Sequence, residues 1–260
     1  MAKKKYSGEP EIKNKIEELF SYRKLVGLLQ QGELDKDKIF YAHLVDIQYQ
    51  IYLLDAYLEG QWVLDKSALA SCWDKIKESL SKLKYSSSQI DKLLREIREY
   101  ERIERNCRKG KWPTSVSFRN FYTTKSCDVR LIRHLIYDAQ PELNRIWKEK
   151  DWAYYDLITE MNDDIADIIE DLNTYNGNRF LISVLRKGSH KTEKQYGAYI
   201  DKVTTKAKVY FKKHAEEGEN HQLFSWTMER SMETLDLLSK TIHNNDPSLF
   251  TKSLLLAKMK

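Results

Sequence analysis

Nine glycines and four prolines are all the backbone punctuation in a chain of 260 residues. Hairpins and tight strand turns draw on those two residue types for positive or fixed φ angles, so a chain this poor in them cannot string together many short strands. Between the breaks, Leu, Ile, Lys, Glu and Asp are abundant, which suits long helices joined by short connections. The expectation is an all-α fold of about ten helices, with runs near 11–30, 35–59, 66–83, 87–108, 118–137, 142–171, 180–187, 191–216, 222–243 and 247–258. The clearest interruptions, Gly110-Lys111-Trp112-Pro113-Thr114 and Asn176-Gly177-Asn178, are too short to be interdomain linkers. With 41% hydrophobic and 12% aromatic residues the chain can bury a core, and one large domain over 11–260 behind a flexible tail at 1–10 is the economical reading.

Charge narrows the class of partner. The 44 basic and 39 acidic residues are mixed along the chain, which gives a solvated surface rather than a basic face that tracks phosphates, so nucleic acid is not the expected partner. Cys72, Cys107 and Cys127 are odd in number and far apart, with no CxxC pair, which argues against a disulfide framework or a zinc site and for a reducing compartment. The first ten residues carry no apolar run of the signal-peptide kind, and no window approaches 18 uninterrupted apolar residues, so a soluble cytoplasmic protein is expected. The oligomeric state, a homodimer included, is left open. The six histidines lack paired spacing for zinc, and no Ser-His-acid or glycine-rich phosphate loop is present.

Two helices carry the interesting carboxylates. From Ile39 to Trp62, Phe40, Leu44, Val45, Ile47, Ile51, Leu54 and Leu58, with several tyrosines, cover nearly all sides of a helix, which places it in the interior. Asp46, Asp55 and Glu59 on that helix need a metal or a basic partner, because carboxylates are seldom buried alone. In the second helix Asp163, Asp167 and Asp171 stand four residues apart and form one stripe of like charge. A charge run of this kind is most often a solvated face; the sharper alternative is a magnesium site, since one or two carboxylates plus waters and substrate phosphates are how magnesium is usually held.

The residues around these acids resemble the class I terpene synthases. Asp163-Asp164-Ile165-Ala166-Asp167-Ile168-Ile169-Glu170-Asp171 resembles that family's second metal motif, and Asn178 ahead of the apolar run 180–185 is similar to the stretch just after that motif in family members. Gly110-Lys111-Trp112-Pro113-Thr114 with Phe118 and Arg119 resembles the Gly-x-x-Pro-Thr segment that leads into the diphosphate-sensing helix, with Tyr122 where an arginine is usual and Arg119 and Lys125 close by. Tyr52-Leu53-Leu54-Asp55-Ala56-Tyr57-Leu58-Glu59 resembles the helix of the first metal motif, with Ala56 where a second aspartate is usual. The three segments keep the family's order and span much of 41–185.

The resemblance implies a helical barrel with a central apolar cavity, the isoprenoid synthase fold. It implies magnesium ions held by Asp55, Glu59, Asp163, Asp167 and Asp171, and a small-molecule prenyl diphosphate substrate gripped by Arg119, Lys125, Asn178 and Arg179. The implied reaction is ionisation to an allylic cation, which is cyclised or quenched with release of diphosphate. Two alternatives stay open. Asp163-Asp164-Ile165-Ala166-Asp167 is also a literal DDxxD, as in prenyl diphosphate synthases that elongate a chain, and a catalytically inactive helical interaction protein would need no metal at all.

Overall fold

The computed structural model of the chain describes residues 8–214, 221–245 and 247–259. Among them there are sixteen α-helices, three short 3-10 turns and no strand. In chain order the helices are α1 (Glu9–Tyr22), α2 (Leu25–Gln31), α3 (Lys38–Gly60), α4 (Lys66–Ser81), α5 (Ser87–Leu93), α6 (Arg95–Cys107), α7 (Phe118–Lys125), α8 (Cys127–Ala139), α9 (Leu143–Ile146), α10 (Ala153–Ala166), α11 (Ile168–Asp171), α12 (Arg179–Lys187), α13 (Ser189–Lys213), α14 (His221–Asn244), α15 (Pro247–Phe250) and α16 (Leu254–Met259). The all-α expectation holds, and no helix among the described residues is long and apolar enough to cross a membrane. Residues 1–7 of the expected tail and Ala215 and Glu216 of an expected helix lie outside the described residues, while Glu9 and Pro10 already belong to α1.

Several of the long expected runs are broken, three of them once. The first is cut at Lys24, whose φ of 62° no helix continues. The run from 87 separates at Leu94, the run from 118 at Ser126, and the run from 142 into α9, a 3-10 turn, α10 and α11. Local caps fix several starts. Asp37 accepts from the Ile39 and Phe40 amides, Asp65 accepts from Ala68, Ser117 accepts from Asn120, and Ser86 and Gln89 form a reciprocal capping box.

The chain divides into two compact units, residues 1–102 with 127–144, and residues 103–126 with 145–260. In the first, α3 packs against α1, α4 and α8. Its buried positions Leu44, Ile47, Ile51, Leu54 and Leu58 recur every three or four residues, one face of a helix. The rest of α3 is less enclosed than the sequence suggests: Ile39 is 73% exposed, and Tyr49, Tyr52, Leu53 and Tyr57 are half-buried. Asp46, which calls for a partner, has two, accepting from the Ser79 hydroxyl at 2.7 Å and the Lys82 ammonium at 3.2 Å. Burial pushes its carboxyl up, and those two contacts with the charges of Lys82 and Lys13 outweigh that and hold it below the usual range.

In the second unit α10 packs against α7, α12, α13 and α14. Leu157, Met161, Ile165, Ile168 and Leu172 form one apolar stripe that runs through the end of α10 into α11, joined in the core by Phe118, Phe121, Tyr122, Phe180 and Tyr196. Each such side chain contributes about 1.5–3 kcal/mol by leaving water. The stripe stays in phase across Asp167 because the Asp167 amide still donates to the Asp163 carbonyl and the Asp171 amide to the Asp167 carbonyl. The kink is therefore invisible to hydrophobic periodicity.

Candidate functional site

Asp164, fully buried in the second unit, is the hub around which the polar side chains gather. One carboxylate oxygen accepts from the Lys125 ammonium. The other accepts from the Tyr122 hydroxyl at 2.9 Å and the Arg179 amide at 3.0 Å, and the Asp164 carbonyl accepts from the Asn178 side-chain amide at 2.7 Å. Tyr122 and Tyr196 share a further hydrogen bond of 2.8 Å. Local sequence explains how α7 reaches this point: capped by Ser117, it puts Tyr122 and Lys125, three residues apart, on the face turned to α10.

The electrostatics of the cluster come from its burial. For Lys125, burial alone would lower the ammonium's pKa, but the charges of Asp164, Glu160 and Asp171 outweigh it and hold the group well above the ordinary lysine value. Tyr122 and Tyr196 are pushed up by burial and then by the charge of Asp164, so both phenols are neutral at any physiological pH. The acids that turn inward include Asp156, Glu160 and Asp164, spaced four apart on α10.

Asp171 belongs to the same cluster through the turn before α12. Its two oxygens accept from the Asn176 amide at 3.1 Å and the Asn178 amide at 2.8 Å. Asn178 thus spends both amide hydrogens on Asp171 and the Asp164 carbonyl, while its oxygen caps α12 by accepting from Leu181. The Arg179 guanidinium donates to the Pro113 and Val116 carbonyls and lies over the rings of Phe118, at 4.4 Å, and Phe121, at 5.7 Å. Gly177 completes the turn. Its amide donates to Glu104 at 3.1 Å, and a Cβ there would come within 2.9 Å of both Glu104 and Cys107. Cys107 is wholly buried, and that burial pushes its thiol up.

The sequence-selected residues are therefore sorted by the structure rather than gathered as a set. Asp163 is half-buried, Asp167 is exposed at the end of α10, and Asp171 is buried, so the three do not share one environment. The cause is what packs opposite each: Asn176 and Asn178 enclose Asp171, whereas Asp167 lies at the exposed end of α10. Lys125, Asn178 and Arg179 meet at Asp164, and Arg119 is exposed on α7. Asp55 and Glu59 are half-buried in the first unit, where Asp55 accepts a long hydrogen bond of 3.3 Å from the Tyr100 hydroxyl. Sequence reasoning missed Asp164 as the hub and Tyr122 and Tyr196 as its partners; the four-residue spacing of Asp156, Glu160 and Asp164 was the available signal.

Magnesium is the ion that the acidic segment suggests, and the side chains as they stand do not form a shell for it. Among the described residues no three of His, Cys, Asp or Glu are gathered to hold a metal. The oxygens of Asp164 are taken by Lys125, Tyr122 and the Arg179 amide, and those of Asp171 by two asparagines. Compared with known protein families, with curated proteins and with solved structures, the chain matches none.

Proposed function

We propose that the chain is an enzyme of the class I terpene synthase kind, which ionises a prenyl diphosphate and cyclises or quenches the allylic cation. One observation carries this reading. Three segments that resemble that family's functional motifs, Pro113 to Lys125, the acidic α10–α11 and Asn178-Arg179, are tied by hydrogen bonds into one buried cluster although up to 66 residues separate them. Stability alone does not favour such a cluster, because apolar residues of similar volume in place of a buried ion pair are often neutral or stabilising. A buried Lys125–Asp164 pair therefore points to use beyond holding helices together.

In this reading Lys125 supplies positive charge to the leaving diphosphate. Arg179 positions the Pro113–Val116 segment, and Asn178 clamps Asp171 beside it. The neutral phenols of Tyr122 and Tyr196 offer no phenolate to trap a carbocation, and the neighbouring aromatic faces suit a cation. Asp163, Asp167 and Asp171 remain the acids proposed for a magnesium requirement, and a cytoplasmic setting belongs to the same proposal.

The test is to incubate the purified chain with magnesium and geranyl, farnesyl or geranylgeranyl diphosphate and to analyse the organic extract. Hydrocarbon or alcohol products that disappear with a chelator are expected. Asp163→Ala and Asp167→Ala should each lower turnover by at least ~100-fold while the circular dichroism spectrum stays unchanged. Longer diphosphates formed only with added isopentenyl diphosphate would mean chain elongation instead. Activity that survives both substitutions would remove the acids from the site. No product, together with no rise in melting temperature on adding magnesium and diphosphate, would leave a non-catalytic helical protein.

A further inference from the structure

The second unit holds a cavity of about 190 Å³ that the acidic cluster does not use. Its floor and walls are Leu157 and Val203, both buried, with the half-buried rings of Tyr154, Tyr199 and Tyr210. Arg119, Lys150, Lys202 and Lys206 stand exposed around it. Four elements bring these residues together: α7, the turn Glu149–Trp152, the first turns of α10, and α13, on which Lys202 and Lys206 are one turn apart.

Two features make this more than a lysine-rich surface. First, none of the four cations has a carboxylate partner among the described residues. Asp151, next to Lys150, is buried and occupied in accepting from the Tyr210 hydroxyl. Four like charges converging on one opening repel one another and favour an anion of more than one negative charge. Second, what lies beneath the charges is apolar and aromatic. Tyr199 is held flat by stacking on Phe118, with centroids 4.6 Å apart and planes at 19°, and Tyr154 packs against Tyr210 at 5.5 Å. A rigid ring wall under a cationic rim suits a molecule that is planar at one end and polyanionic at the other.

The volume sets the size. A space of 190 Å³ corresponds to about six waters and falls below the ~300–1,000 Å³ of pockets that enclose a drug-sized ligand. It accepts one ring, and the charged remainder of the ligand must lie along the rim. The site is also separate from Asp164. Tyr154 and Asp164 are ten positions apart on α10, or ~15 Å along its axis, and Phe118, packed edge-on against Tyr196 and flat on Tyr199, fills the space between the two groups.

We propose that this cavity binds a nucleoside di- or triphosphate, its base against Tyr154, Tyr199 and Tyr210 and its phosphates on Arg119, Lys150, Lys202 and Lys206. A nucleic-acid strand fits less well, because the rings line a single recess of one-base capacity and not an extended track of stacking platforms. The proposal is independent of the isoprenoid reading and survives its failure.

Titration calorimetry of the full chain with ADP, ATP, inorganic diphosphate, geranyl diphosphate and a thymidine oligonucleotide tests it. ADP and ATP should saturate one site and bind at least about tenfold more tightly than inorganic diphosphate, the difference being the ring. The double variant Lys202→Glu/Lys206→Glu, which alters only exposed side chains, should weaken ADP by about tenfold or more, and Ala153→Phe, which fills the mouth, should do the same without reducing net charge. Asp167→Ala should leave ADP binding unchanged. The proposal falls if neither nucleotide saturates at millimolar concentration, if inorganic diphosphate binds as well as ADP, or if both cavity variants bind ADP normally. It falls equally if geranyl diphosphate or the oligonucleotide binds this cavity more tightly than ADP.

Discussion

Replacing Lys125 by Met keeps the length and the apolar stem of the side chain and removes only the charge that faces Asp164. Asp164 has no exposed surface, and the Lys125 side chain retains 15% of its own, so the pair is close to fully withdrawn from solvent. Removing one member of a buried pair leaves an uncompensated charge and costs about 3–5 kcal/mol; the residual exposure of Lys125 places the cost near the lower end, at about 3 kcal/mol. With a denaturant slope of about 2–3 kcal/mol/M, the urea midpoint should fall by ~1–1.5 M. Four of the six tryptophans, Trp112, Trp147, Trp152 and Trp226, lie in the second unit, so most of the tryptophan fluorescence reports on the affected part of the chain. Asp164→Asn in the Lys125→Met background removes the stranded charge and should recover at least ~2 kcal/mol relative to the sum of the single changes. A midpoint shift below ~0.3 M for Lys125→Met, or strict additivity in the double variant, would refute the view that this pair is the electrostatic centre of the unit.

The same cluster predicts a steep alkaline limit. Lys125, Tyr122 and Tyr196 all have pKa values raised in the folded state, so above about pH 10 the unfolded chain loses protons that the folded chain keeps, and stability falls as pH rises, by up to ~4 kcal/mol per pH unit for three groups. Melting temperatures between pH 8 and 11 should therefore drop sharply past 10, and Tyr122→Phe should soften the slope. At the other end, Asp46 is held below its unfolded value, so its contribution is present above about pH 4 and is lost on further acidification; Lys82→Met, measured by acid titration of the circular dichroism signal, should move that loss to higher pH. Gly177→Ala should cost about 1–3 kcal/mol by thermal melting, because its Cβ meets Glu104 and Cys107 at 2.9 Å, and Cys107→Ala should return part of the loss.

How much of this was legible in the sequence depends on which signal each feature leaves. The shortage of glycine and proline was enough for an all-helical chain, and Asp65, Ser86 and Ser117 mark helix starts with side chains that do cap in the structure. Breaks were harder. At Lys24 and Asp167 the chain leaves helical geometry at residues that helices ordinarily accept, and at Asp167 the apolar stripe continues in phase on the far side. The acidic stripe was read by spacing alone, which weighs Asp163, Asp167 and Asp171 equally. The structure distinguishes them because burial depends on what packs opposite: α7 brings Tyr122 and Lys125 to Asp164, and Asn176 and Asn178 reach Asp171. None of those partners is a neighbour in sequence on α10. The cationic cavity was hidden for the same reason, since Arg119, Lys150 and Lys202 come from three elements and are diluted among 44 basic residues.

The turn Asn176-Gly177-Asn178-Arg179 is short, and short turns are usually the quick, self-contained events of folding. This one cannot set by itself. The Gly177 amide waits for Glu104, 73 positions upstream, and the Arg179 side chain for carbonyls 66 and 63 positions upstream. Bringing such distant segments together incurs loop-closure entropy before any bond returns it. This short turn is thus a late keystone, taking its final shape only after α6, the Pro113 segment and α10 have found one another.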